Sequence, residues 1–326
     1  MKTGVRQTIF SMAAAAAVLM AVPALAASGK AGWRDFAGTH IGDNMSYTTK
    51  YEDTLISVAR NFNLGFVELR AANPYVDPWM PGEGVELTLP AMFLLPPGPR
   101  KGIVINLPEM RLYSYMKSGK PPESYPLGIG REGLLTPTGT TTVLSKKENP
   151  VWRPTPRMRS EDPSLPVEVG PGPDNPLGTH ALYLGWDQYR IHGTNKPYGI
   201  GRRSSSGCLR MYPEDIIKAY KDVPVGTTVT VINEPVKAAW VGNKLYVEAH
   251  PTMEQADRME QQGGLPGYQL SADEMKVVMN AAGADAGRID WTVLRQVIRE
   301  RNGMPIVVAT RPKAENTAEK ETAERI

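Results

Sequence analysis

With 29 prolines and 31 glycines spread through 326 residues, this chain interrupts its backbone too often to build a helical bundle. Each proline removes a backbone donor, and each glycine loosens a helix. Short strands joined by turns are what such spacing permits, so the expected fold class is mostly β with a few helices. Hydrophobic residues make up 41% of the chain, enough for a buried core, and the length suits two or three domains of about 100–200 residues each. The 37 Lys and Arg nearly balance 34 Asp and Glu. The formal charge of +3 excludes nucleic-acid binding through phosphates as the main task. One cysteine, Cys208, excludes an intramolecular disulfide and a multi-cysteine metal cluster. The four histidines, at 40, 180, 192 and 250, are too scattered for a protein metal site, and no cofactor is expected.

The first residues read as a targeting segment. Lys2 and Arg6 precede an apolar run from Ile9 to Val22, which ends in the small residues of Ala24-Leu25-Ala26. The run is shorter than the roughly 18–20 residues that span a bilayer. A signal peptide cleaved after Ala26 is the reading, with an uncleaved anchor as the alternative. Export places Cys208 where it has no intramolecular disulfide partner. It is then either a small buried hydrophobe or a reactive thiol.

From residue 44 to 90 the pattern is strand, helix, helix, strand. Ser46–Thr49 is a short strand, and Asp53 is the expected N-cap of a helix carrying Leu55, Val58, Ala59 and Phe62. Asn63-Leu64-Gly65 breaks that helix, and Asn73-Pro74 stops a second one. Val85–Leu89 alternates as a strand. Pro96-Pro97-Gly98-Pro99 reads as a stiff linker. A β-rich region spans 100–233, with a hairpin across Pro108-Glu109-Met110 and one helix from Pro213 to Tyr220. Gly128-Ile129-Gly130-Arg131-Glu132-Gly133 spells a dinucleotide fingerprint, but Thr136-Pro137-Thr138-Gly139 follows where a phosphate-binding helix must start, so that motif is rejected. Residues 234–310 give a hairpin turning at Gly242-Asn243, then helices over 271–282 and 290–301. Residues 311–326 read as a disordered polar tail.

The chemistry concentrates at Ile191-His192-Gly193-Thr194-Asn195 and Ser204-Ser205-Ser206-Gly207-Cys208-Leu209-Arg210. Between Gly193 and Cys208 lie fourteen residues, giving the pattern H-G-x(14)-C. His192 ends a strand. Cys208 follows a Gly/Ser-rich segment and precedes the helix at Pro213, so a charged imidazole and a helix start are expected to depress its pKa. The N–H groups of Gly207 and Cys208 are expected to face a developing oxyanion. A Cys–His pair with backbone donors is equipment for nucleophilic acyl transfer.

This stretch resembles the signature of the L,D-transpeptidases of the YkuD type, in their ErfK/YbiS-like branch. Thr136-Pro137-Thr138-Gly139, Asn175-Pro176-Leu177-Gly178 and Ala181-Leu182-Tyr183-Leu184-Gly185 match as well. Residues 44–90 resemble a LysM module, which implies binding of peptidoglycan glycan; a plain helical spacer is the alternative. The family resemblance implies a β-barrel or sandwich catalytic domain with Cys208 as nucleophile and His192 as base. It implies Arg210 as a carboxylate or loop contact, and Gly207, Ser206 and Gly193 around the reacting carbonyl. Many relatives carry His just before Gly-Cys; here Ser206 stands there, so a backbone carbonyl must orient His192. His180 is expected beside the cleft, and His40 and His250 are structural. The implied substrate is a tetrapeptide stem of peptidoglycan, the acceptor another stem or an outer-membrane protein, and the compartment the periplasm. Two other readings stay open at this point: a hydrolase on the same scaffold, cutting a protein–peptidoglycan link, and a non-catalytic wall-binding protein. The resemblance leaves residues 251–326 without a role.

Overall fold

Thr54 and Ser57 begin the first helix by capping each other's backbone, which takes the N-cap position from Asp53. Asp53 instead accepts from the Lys50 N–H and the Tyr47 hydroxyl, each at 2.8 Å. This computed structural model describes residues 33–262 and 270–312. The expected signal peptide and residues 313–326 of the tail lie outside the described residues. The N-terminal part comprises β1 (His40–Ile41), β2 (Met45–Thr48), α1 (Leu55–Asn61), α2 (Phe66–Ala72), β3 (Glu86–Leu89) and β4 (Phe93–Leu94). β2 and β3 pair antiparallel, Met45 against Leu89 and Thr48 against Glu86, completing the expected βααβ order.

The central part holds β5 (Gly102–Asn106), β6 (Arg111–Tyr115), β7 (Glu123–Pro126), β8 (Ile129–Gly130), β9 (Gly139–Glu148), α3 (Pro156–Glu161) and β10 (His180–Leu184). It continues with β11 (Arg190–His192), β12 (Arg203–Ser205), β13 (Leu209–Arg210), α4 (Pro213–Asp222) and β14 (Thr228–Ile232). Eight of these strands form one curled sheet, in the order β13-β11-β10-β9-β14-β5-β6-β7, while β12 pairs with β8. β5 is buried along its whole length, as its run Ile103-Val104-Ile105 requires of a strand covered on both faces. α3 was not legible in the sequence. It sits in the long crossover between β9 and β10, begins at Thr155 as N-cap, and buries none of its own residues.

The third part comprises β15 (Val236–Val241), β16 (Lys244–Ala249), α5 (Met253–Gln262), α6 (Ala272–Ala282), α7 (Trp291–Glu300) and β17 (Ile306–Thr310). β17 adds a third strand to the expected hairpin. α6 and α7 close a separate core over that sheet, built on Leu245, Val247, Val278, Leu294, Ile298 and Val308. Among the described residues no helix is long and apolar enough to cross a membrane.

The proline-rich segment does not isolate the N-terminal part. Leu55, Leu64 and Leu69 belong to the same buried cluster as Ile103, Leu209 and Met211. α2 docks on the loop leading to β12: the Phe66 and Val67 N–H groups donate to the carbonyls of Ile200 (3.4 Å) and Gly201 (3.0 Å). Gly201 has a φ of +71°, and a Cβ there would lie 2.1 Å from the Phe66 nitrogen. Only glycine fits that approach.

Candidate active site

Two short parallel strands build the site. In a strand, side chains two residues apart share a face. Ile191 and Leu209 pair and point into the core, at 0% and 1% exposure, so their neighbours face the other way. His192 on β11 lies beside Arg210 on β13. Cys208 immediately precedes β13, and extending the register one step back sets it opposite Arg190, whose backbone N–H and charge both act on the thiol. The result is a two-by-two array, with thiol and imidazole on one diagonal and two guanidiniums on the other. All four side chains line one cavity of about 380 Å³. Ser206 lines it too, and the β9–β10 crossover contributes Trp152 and Met158.

His192 is almost fully buried, and its Nδ1 meets the carbonyl of Gly193 at 2.6 Å. A carbonyl only accepts, so Nδ1 carries the proton and Nε2 keeps its lone pair. A backbone carbonyl therefore orients His192. Gly193 is itself held by its N–H, which donates to His180 O at 3.1 Å. Burial, and next the charge of Arg210, push the imidazole down to about 3, although the Gly193 carbonyl pulls the other way.

The thiol departs from expectation. Burial raises the Cys208 pKa above its ordinary value, and the positive charges of Arg190 and Arg210 offset only part of that. Neither cause expected from the sequence operates: His192 is held neutral, and α4 starts beyond β13 with Tyr212 as its cap. Cys208 is half-buried and its Sγ–H donates to Gln188 O at 3.4 Å.

The expected oxyanion pair is also corrected. The Gly207 N–H donates to Ser205 Oγ at 3.1 Å, so it is committed within the loop. Among the described residues no acceptor engages the Cys208 N–H. Gly207 serves the site by conformation instead: its φ is +107°, and a Cβ would sit 3.1 Å from the Tyr189 ring.

Several residues that sequence reasoning left without a role hold this loop. Thr136, from the Thr-Pro-Thr-Gly motif, donates to Gly207 O at 2.8 Å and accepts from the Gly130 N–H at 3.1 Å. Ser205 Oγ donates to Cys208 O at 2.5 Å. Asn175 is fully buried and binds the carbonyls of Pro150 and Gly170 at 2.7 and 3.0 Å, ordering the crossover that roofs the cavity. Arg190 was missed, although it stands two residues before His192 on the same strand. His180 does not line the cavity; it packs edge-on against Tyr220, with ring centroids 4.6 Å apart. Glu109, Glu248 and His250 place three ligating atoms within 4.8 Å of one another. Lys237 Nζ already sits among them, 3.0 Å from Glu109 and 2.8 Å from Glu248, so the cluster carries its own cation.

A curled sheet that brings a cysteine and a histidine to one cavity from neighbouring parallel strands has the groups that nucleophilic acyl transfer needs. Residues 100–231 match the model of the YkuD L,D-transpeptidase catalytic domain. Over 310 residues the chain is 39% identical to the probable L,D-transpeptidase YcfS of Escherichia coli K12, covering 90% of this chain and 92% of that one. The probable L,D-transpeptidases YbiS and ErfK/SrfK of the same strain are 38% and 36% identical, over 82% and 83% of this chain and 87% of each relative. The chain belongs to the L,D-transpeptidase family.

Proposed function

We propose that this protein is a peptidoglycan L,D-transpeptidase that works through a thioester on Cys208. The observation that carries the reading is the β11–β13 array, which sets a thiol, an imidazole held through Nδ1 by the Gly193 carbonyl, and two cations around one cavity. As a tetrapeptide stem binds, Nε2 of His192 takes the thiol proton while Sγ attacks the carbonyl of the third residue. The Cys208 N–H supports the oxyanion. The C–N bond then breaks, the leaving D-Ala amine takes the proton from His192, and the acyl group remains on sulfur. An acceptor amine repeats the steps in reverse, giving its proton to Nε2 and returning the thiol. An imidazole with a pKa near 3 is a weak base at rest and a strong acid once protonated, which suits prompt delivery to the leaving amine.

The acceptor is a second stem, forming a 3→3 cross-link, or an outer-membrane protein. The β2–α1–α2–β3 unit acts as a LysM-like glycan-binding module, for which the exposed Tyr51, Tyr75 and Trp79 offer stacking surfaces. The site of action is the periplasm, after cleavage behind Ala26. Incubation with purified tetrapeptide muropeptides, read by mass spectrometry, tests the reaction. Wild type is expected to release D-Ala and form cross-linked products, and Cys208→Ala neither. D-Ala release that persists in a folded Cys208→Ala protein rejects the covalent route.

A further inference from the structure

We propose that Arg190 forms, with Arg210, an anion subsite that holds the terminal carboxylate of the acyl donor beside the Cys208 thiol. This inference rests on the acyl-transfer reading and names what that site recognises in its donor. Four arginines line the cavity, and two are already committed: Arg153 pairs with Glu168 at 2.8 Å and Arg157 with Glu161 at 2.5 Å. Among the described residues Arg190 and Arg210 form no ion pair, and the buried Nε of each has no hydrogen-bond partner. Among the described residues the Arg190 side chain makes one hydrogen bond, to the Gln188 carbonyl at 3.2 Å, with its guanidinium 5.3 Å from the Tyr183 ring centroid. Stacking fixes the plane of the fork and leaves donors unspent. One acid, Asp187, lines the cavity, and it is not paired with either guanidinium.

Two half-buried cations without counter-ions, flanking a nucleophile, are expensive unless an anion completes them. A guanidinium favours a carboxylate, which it can meet with two parallel N–H groups. A donor ending in a free carboxylate has that group only a few bonds from its scissile carbonyl, so the array of β11 and β13 spans both. Amidating the terminus, or removing the Arg190 charge, leaves a desolvated partner alone in either case.

Cys208 is the only cysteine, so its alkylation reports on this subsite without any peptidoglycan. Iodoacetate and iodoacetamide need the same thiolate, and the ratio of their rates cancels any change in thiol ionisation. Wild type is expected to show a ratio about 10-fold above that of glutathione at the same pH, the size of effect one charge-assisted contact gives. Arg190→Gln should bring the ratio down to the glutathione value, and Arg190→Lys should retain part of it. With peptide donors, wild type should favour the free terminal acid over the amide, mainly through KM, and Arg190→Gln should lose that preference. A wild-type ratio equal to that of glutathione, or one unchanged in a folded Arg190→Gln protein, overturns the subsite. If iodoacetate is preferred but no peptide donor acylates Cys208, the subsite stands and the peptidoglycan reading fails.

Discussion

Cys208 gains no electrostatic help from His192 at rest, because burial and Arg210 keep the imidazole neutral through the neutral pH range. The thiol, raised by its own burial, stays protonated through the neutral range. The sign of the pH dependence follows from these two directions. A preformed thiolate–imidazolium pair would give alkylation rates that rise below neutrality and then level off. Here alkylation of Cys208 by iodoacetamide should climb through neutral pH and show a single inflection above the ordinary thiol range. No inflection is expected near 6.5, where a free histidine titrates. A plateau between pH 5 and 8 would contradict the neutral pair. Proton transfer then belongs to the step in which substrate binds and Sγ attacks, so loss of Nε2 in His192→Ala should slow acylation by peptide more than alkylation by iodoacetamide.

The loop from Ile200 to Cys208 is too irregular to hold its own shape and borrows rigidity from both flanks. On one side α2 donates to Ile200 and Gly201, and Arg202 lies 3.8 Å from the centroid of the Phe66 ring. On the other, Arg203 binds Asp257 of α5 at 2.5 Å and the Met253 carbonyl at 2.6 Å. Gly201→Ala should therefore lower stability by about 1–3 kcal/mol, the scale of a strained backbone position, and slow Cys208 acylation by at least several-fold. Gly226→Ala is the matched control: its φ is +87°, but nothing lies within 4 Å of the added Cβ. It should cost less stability and leave acylation unchanged, as measured by urea denaturation and by adduct formation. Equal effects of the two substitutions on acylation would mean that α2 does not support the loop. The elements themselves were mostly legible. A continuous apolar run marked β5, alternation marked β14, the Gly242-Asn243 turn marked the β15–β16 hairpin, and the H-G-x(14)-C spacing located the thiol and imidazole. What escaped was set by tertiary contact: α3 buries nothing that periodicity could reveal, and β17 declares itself only against β16. Arg190 is a functional candidate only through a parallel pairing with β13, and no local pattern announces that pairing.

At the scale of the molecule, buried charges tie the flanking parts to the central sheet. Lys237 of β15 is buried against Glu109 of the β5–β6 turn, and its Nζ also donates to the Leu94 carbonyl at 2.5 Å. On the N-terminal side, Arg111 of β6 is fully buried and reaches Glu68 of α2 at 2.7 Å and the Asn63 carbonyl at 3.0 Å, under the Phe93 ring. Glu68 Oε2 also accepts from the Gly65 N–H at 2.9 Å, so one carboxylate caps α2 and neutralises the sheet's cation. Such a pair fixes how two parts join without adding much net stability, since desolvating both ions offsets most of their attraction. That asymmetry gives a test in the intact chain. Glu68→Gln leaves the Arg111 guanidinium buried without a counter-charge and should cost about 3–5 kcal/mol. The double replacement Glu68→Met with Arg111→Met removes both charges and fills similar volume, so it should be markedly less destabilised than Glu68→Gln. Urea denaturation of the three proteins at one pH measures both quantities. If the double variant is as unstable as the single, the loss comes from the α2 cap and packing, and the ion pair is not what joins the N-terminal part to the catalytic sheet.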